Sequence, residues 1–146
     1  MSRLSIPVKL LSEGASMPQA MRMGDAGLDL RSVEQVTLRP FERALIPTGI
    51  ALAIPEGYAG FVLPRSGLAA KHGFTLVNAP GLIDSNYRGE IKVIGMNLDP
   101  NDDFVISAGD RIAQLVIMRV CDCGLCAVEE LDATERGAAG FGSSGV

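Results

Sequence analysis

Between residues 46 and 54 the chain alternates. Ile46, Thr48, Ile50, Leu52 and Ile54 fall at every second position, the period of a strand with one buried face, and Pro55-Glu56-Gly57 closes the run. Further strand-like runs are LSIPVKLL (4–11), VEQVTLRP (33–40), YAGFVLP (58–64), GEIKVIGMNL (89–98), DFVIS (103–107), RIAQLVIMRV (111–120) and CAVEEL (126–131). Pro and Gly stand between most of them, at the spacing of all-β sandwiches and barrels. Only SGLAAKHG (66–73) predicts a helix, and a short one. Neither a heptad pattern nor an internal repeat is present. The pattern predicts one all-β domain.

The last residues break this pattern. From Arg136 the chain reads RGAAGFGSSGV, with Gly137, Gly140, Gly142 and Gly145 among small side chains. So little apolar surface cannot order a segment by burial, which predicts a β domain over 1–135 and a mobile arm over 136–146. Phe141 is the exception. A frayed tail has no need of an aromatic at its centre, whereas a closing lid does.

At 146 residues, 47% hydrophobic and 21% charged, the chain is long enough to bury a core and is globular in composition. The positive mean hydropathy of +0.25 comes from many short apolar runs. None approaches the roughly 20 residues of a membrane helix. The first residues carry neither a long apolar stretch nor a small-residue cleavage site, so the cytoplasm is the expected compartment. The net charge is −4, without a Lys/Arg cluster, which argues against nucleic acid as a partner. Such a chain can still bind an anionic small molecule through local Arg, backbone amides or a metal ion. Cys121, Cys123 and Cys126 make an odd count of thiols, unsuited to a disulfide framework and one ligand short of structural zinc. They are expected as small, partly buried free thiols, with Cys121 and Cys123 continuing the preceding strand on one face.

Five short blocks stand in order along the chain: GDAGLDL (24–30), PRSGLA (64–69), NAPGLIDSNYRGEIKV (78–93), GDRIAQLVI (109–117) and RGAAGFGSSG (136–145). Together they resemble the five motifs of the dUTPase family, in order and in spacing. The resemblance implies a jelly-roll-like β-barrel or sandwich that hydrolyses dUTP to dUMP and pyrophosphate. That reaction limits uracil incorporation into DNA and supplies dUMP for dTMP synthesis.

Hydrolysis of a phosphoanhydride needs a water lined up opposite the leaving group and a base beside it. The resemblance gives that role to Asp84, with attack on the α-phosphorus; D-S-N-Y is also good turn chemistry. Asn78 and the backbone of Gly81, Leu82 and Ile83 would hydrogen-bond the uracil edge, where a mismatched base leaves buried groups unpaired. Tyr87 would pack under the sugar and exclude a 2′-hydroxyl, and Lys92 would lie near the substrate. Asn86 stands where many family members carry a second Asp, and it suits a turn equally well.

Arg65, Ser66 and Gly67 resemble the family's phosphate-gripping loop, with a donor fork, a hydroxyl and a closely approaching amide. Ser66 also suits a helix N-cap. Gln114 stands where the family sets a neutral amide against the phosphates. Asp29 matches a position that supports the water shell of Mg2+, a hard ion that keeps several waters and needs few protein ligands; Asp25 is a weaker match. In the fifth block Phe141 would stack over the uracil and Arg136 would reach the γ-phosphate, with Gly142, Ser143 and Ser144 offering amides and hydroxyls. Closure of this arm would exclude water.

The resemblance further implies a homotrimer with composite sites. The first, second and fourth blocks would come from one subunit, the third from a neighbour and the fifth from the remaining chain. Two other readings stand beside this one: a dCTP deaminase-like enzyme, and a regulatory nucleotide-binding module with protein partners.

Overall fold

The computed structural model describes residues 4–140. It contains eleven strands and one short helix among those residues, and every strand pairing is antiparallel. The strands are β1 (Val8–Leu10), β2 (Leu28–Arg31), β3 (Val36–Leu38), β4 (Arg43–Pro47), β5 (Ile50–Leu52) and β6 (Tyr58–Leu63). Then follow α1 (Ser66–His72), β7 (Phe74–Leu76), β8 (Gly81–Ile83), β9 (Lys92–Asn97), β10 (Phe104–Ile106) and β11 (Arg111–Arg119). They form a four-stranded sheet in the order β2-β11-β6-β8, a three-stranded sheet β4-β9-β7, and the pairs β1-β5 and β10-β3. This is the all-β architecture that the pattern predicts, of the jelly-roll type that the resemblance implies.

The alternation at residues 46–54 points where it should. Ile46, Thr48, Ile50, Leu52 and Ile54 are all buried, and Ile46, Ile50 and Ile54 pack into one core with Leu30, Leu38, Val62, Phe74 and Leu115. The run is nevertheless two strands rather than one. At Gly49 the backbone turns to φ +68°, and a Cβ there would lie 2.8 Å from both Ala15 and Val33. Only glycine fits such a corner. The bend passes the chain from β4 in the three-stranded sheet to β5, which pairs with β1.

Residues 126–131 form no strand, and Cys121 and Cys123 do not extend one. The ladder of β11 ends at Arg119, and all three thiols are free and exposed rather than partly buried. Strand-like composition needs a partner edge, and among the described residues none pairs with this segment. Conversely, β2 and β7 form from short pieces that the pattern does not flag. Arg65 rather than Ser66 occupies the N-cap of α1, and it makes no side-chain capping bond. At the C-terminal end the described residues reach Gly140. Gly137 N–H donates to Thr134 O at 3.1 Å, and Arg136 Nε donates to Ala139 O at 3.0 Å. Phe141, Gly142, Ser143 and Ser144 lie outside the described residues.

Candidate active site

β11, the longest strand, sits between β2 and β6 and organises the first of two cavities. Its register sets Gln114 opposite Asp29 on one side and Leu63 on the other. Leu63 ends β6, so the next residues leave the sheet beside Asp29 and Gln114 and start α1. A cavity of about 700 Å³ results, and Asp29, Arg65, Ser66, Gly67 and Gln114 all line it. Three separate blocks of sequence thus meet at one place.

Electrostatics fix the geometry there. The Asp29 carboxylate, 14% exposed, faces Arg65 Nε at 3.4 Å and Arg111 Nη1 at 3.2 Å. Arg65 Nη1 also donates to Arg111 O at 3.0 Å. One carboxylate therefore holds two guanidiniums at the rim of a cavity, leaving one net positive charge for an anion. Gln114 Nε2 donates to Pro64 O at 3.0 Å, and its side chain lies across Gly27, where a Cβ would overlap Gln114 Oε1. Arg111 and Gly27 were not singled out by sequence reasoning. Both stand inside the quoted blocks, and a charged residue opening the apolar run IAQLVIM was the available signal.

The third block builds the second cavity, of about 550 Å³. Asn78, Gly81, Leu82, Ile83, Asp84, Tyr87 and Lys92 all line it, with Leu45, Leu76 and Ile94 as apolar wall. Its strand β8 pairs with β6, where Val62 faces Gly81 and Gly60 faces Ile83, and not with β9, which lies in the other sheet. Asp84 follows at the mouth, exposed, and its carbonyl accepts from Tyr87 N–H at 3.1 Å. The D-S-N-Y turn is therefore real, and Asn86 occupies an exposed position in it. Tyr87 Oη donates to Glu90 O at 2.9 Å. A Cβ at Gly89 would come within 2.6 Å of Tyr87 Cζ, so the missing side chain there lets the ring lie against the backbone. Glu90 accepts from Gly49 N–H at 2.9 Å and pairs with Lys92 Nζ at 3.6 Å, which orients the lysine.

The two cavities share no lining residue. β2 and β8 are the opposite edges of the four-stranded sheet, about 14 Å apart across three strand spacings. Register adds to the separation. Asp84 continues β8 to a point opposite Ala59, six residues of β6 and its extension before Arg65, or roughly 20 Å of extended chain. Within one chain Asp84 and Arg65 therefore stand well apart along the sheet and line different cavities. Among the described residues no group of three His, Cys, Asp or Glu side chains is placed to hold a metal ion, and no helix is long and apolar enough to cross a membrane.

Similar proteins share both sequence and fold. Deoxyuridine 5′-triphosphate nucleotidohydrolase of Thermobifida fusca is 52% identical over 140 residues, 96% of this chain and 78% of the relative. The Staphylococcus bacteriophage 80alpha dUTPase, solved with dUpNHpp, is 37% identical and superposes with a TM-score of 0.90, over 97% of this chain and 99% of that one. A point mutant of the dUTPase from phage phi11 of S. aureus, solved with a structural Mg(II) ion, is 33% identical with a TM-score of 0.81, over 87% and 98% of the two chains. The dUTPase family model spans residues 13–145, from ahead of the first block to the end of the fifth, and the chain belongs to that family.

Proposed function

We propose that this protein hydrolyses dUTP to dUMP and pyrophosphate at sites shared between the chains of a homotrimer. The observation that carries the reading is the division of labour between the two cavities. One is an apolar slot edged by the backbone of β8, suited to a pyrimidine and its sugar. The other is polar and cationic, suited to phosphates. They share no lining residue in one chain, and in this reading the slot of one subunit faces the cationic cavity of another.

In that arrangement the backbone of Gly81, Leu82 and Ile83 and the Asn78 amide read the uracil edge, and Tyr87 closes the space beside C2′ of the sugar. Lys92, held by Glu90, adds positive charge near the nucleotide. Arg65, Ser66, Gly67 and Gln114 grip the phosphate chain from the neighbouring subunit. Asp84 orients a water and takes its proton as the water oxygen bonds to the α-phosphorus. The bond from that phosphorus to the bridging oxygen breaks, and pyrophosphate leaves. Arg136, Phe141, Gly142 and Ser143, on the arm of a third chain, would cover the site and exclude water.

The side-chain oxygens near the phosphate cavity suit Mg2+ held mainly by phosphate oxygens and water, with Asp29 acting through that water shell. When bound, the ion neutralises phosphate charge. Apolar side chains left uncovered by their own chain support the assembly. Leu125 is 98% exposed and Leu131 86% exposed on the segment beyond β11, and Leu45 and Leu82 are exposed beside the slot. Such surface is what subunit contacts bury. Three free, exposed thiols fit a reducing compartment, in keeping with the cytoplasm.

The decisive experiment is pyrophosphate release from dUTP with Mg2+, set against dTTP, dCTP and UTP. Hydrolysis of dUTP alone is expected, with Asp84→Asn lowering turnover by about 10²–10⁴-fold. Full turnover in Asp84→Asn removes the base assignment, and ammonia release from dCTP replaces the reaction.

A further inference from the structure

Thr48 is the polar member of the buried alternation at 46–54, and the hydrolysis described above gives it no role. It is 3% exposed, and its hydroxyl donates to Ile91 O, 43 positions away in the chain. The next two residues reach the same place. Gly49 N–H donates to Glu90 Oε1 at 2.9 Å, and Ile50 O accepts from Ile91 N–H at 2.8 Å. Three consecutive residues of the corner between β4 and β5 thus clamp two consecutive residues of the third block.

The clamp holds the peptide unit between Glu90 and Ile91. That unit is trans, so its N–H and its carbonyl point in opposite directions. The N–H faces Ile50 O, and the carbonyl, facing away, accepts from Tyr87 Oη at 2.9 Å. Tyr87 is 46% exposed, so packing alone does not fix the outer end of its ring. The Gly89 backbone sets how closely the ring lies against the chain, and the Glu90 carbonyl sets where its hydroxyl stops. Steric exclusion of one sugar hydroxyl needs a ring placed to about 1 Å, a precision reached when neighbouring hydrogen bonds fix the group.

We infer that Thr48 and Glu90 are positioning residues for discrimination at the 2′ carbon of the sugar, because their side chains clamp the peptide unit that receives the Tyr87 hydroxyl. The inference rests on the reading above that Tyr87 closes the space beside C2′. Both side chains act through Tyr87. Glu90 has a second contact, the ion pair with Lys92, made by its other carboxylate oxygen. The two oxygens therefore separate two effects, the clamp on one side and the lysine on the other.

The test is kcat/KM for dUTP and for UTP, with Mg2+, on full-length variants whose mass in solution matches the parent's. Thr48→Val and Glu90→Ala should each lower the ratio of dUTP over UTP by about 5-fold or more, through a gain on UTP. Thr48→Ser keeps a hydroxyl for Ile91 O, and Glu90→Gln keeps an oxygen for Gly49 N–H while losing the charge that faces Lys92. Both should stay near the parent ratio. A further measurement needs no turnover. The chain has two tyrosines, so protein labelled with 3-fluorotyrosine gives one fluorine resonance from Tyr87 and one from Tyr58. Thr48→Val and Glu90→Ala should shift the first and leave the second in place. A Tyr87 resonance unmoved in both variants, a lower Tm with the parent ratio kept, or an equal loss of ratio in Thr48→Ser and Glu90→Gln each overturn the proposal. A parent protein that hydrolyses UTP as readily as dUTP instead overturns the reading of Tyr87, and the link from the clamp to the sugar with it.

Discussion

Asp29 shows how one carboxylate can hold two cations at a cavity rim. Its carboxylate faces Arg65 and Arg111, and without it two guanidiniums would face each other across the cavity. Tyr87 depends on a neighbour in a similar way, because only the bare backbone of Gly89 accepts its ring. We expect Gly89→Ala to displace that ring and lower the ratio of kcat/KM for dUTP over UTP by about 10-fold or more, read by paired pyrophosphate assays. Asn97 is wholly buried. Its amide donates to Leu38 O at 3.0 Å and Asp102 O at 2.9 Å and accepts from Asp99 N–H at 2.9 Å. Asn97→Ala strands those groups and should cost about 2–4 kcal/mol, measured by urea denaturation. At this scale much was legible. Asp84 and Tyr87 line one cavity and Arg65 and Gln114 the other, so the blocks mark where the cavities lie. Gly89 and Arg111 were not, because their roles are to make room for a ring and to share a carboxylate, and neither leaves a local pattern.

Among elements, β9 is the most tightly packed case. Gly95 faces Phe74, and an added Cβ would lie 2.7 Å from that ring and 2.9 Å from Ile46 Cδ1. Phe74 is itself wedged against Phe104, ring centroids 4.9 Å apart, and has no room to retreat. Gly95→Ala should therefore destabilise by about 1–3 kcal/mol, seen as a lower Tm with unchanged far-UV signal. Alternation revealed the strands with one buried face, from Ile46 to Ile54 above all. It missed β2, whose four residues include Asp29 and Arg31, and β7, which has three residues between α1 and β8. It also marked residues 126–131 as a strand, although among the described residues they join no ladder. Sequence periodicity records which face is apolar, while pairing depends on what lies alongside.

At the level of the whole molecule, the separation of the two cavities dictates the experiments. Chromatography with light scattering should report about three times 15.4 kDa. Arg65→Ala and Asp84→Asn should each be inactive alone, since each breaks every site. Mixed and reassembled in equal amounts, they should regain activity at roughly a quarter of the sites, those that pair an intact Arg65 with an intact Asp84 from different chains. No recovery after verified exchange of subunits would place both residues in one chain's site.

The position of β2 and β8 at opposite edges of one sheet also ties catalysis to mass action. An isolated protomer would hold a base slot and a phosphate grip that never meet. Specific activity should then fall steeply when the enzyme is diluted below the midpoint of its own dissociation, and dUTP, by bridging two protomers, should shift that midpoint to lower protein concentration.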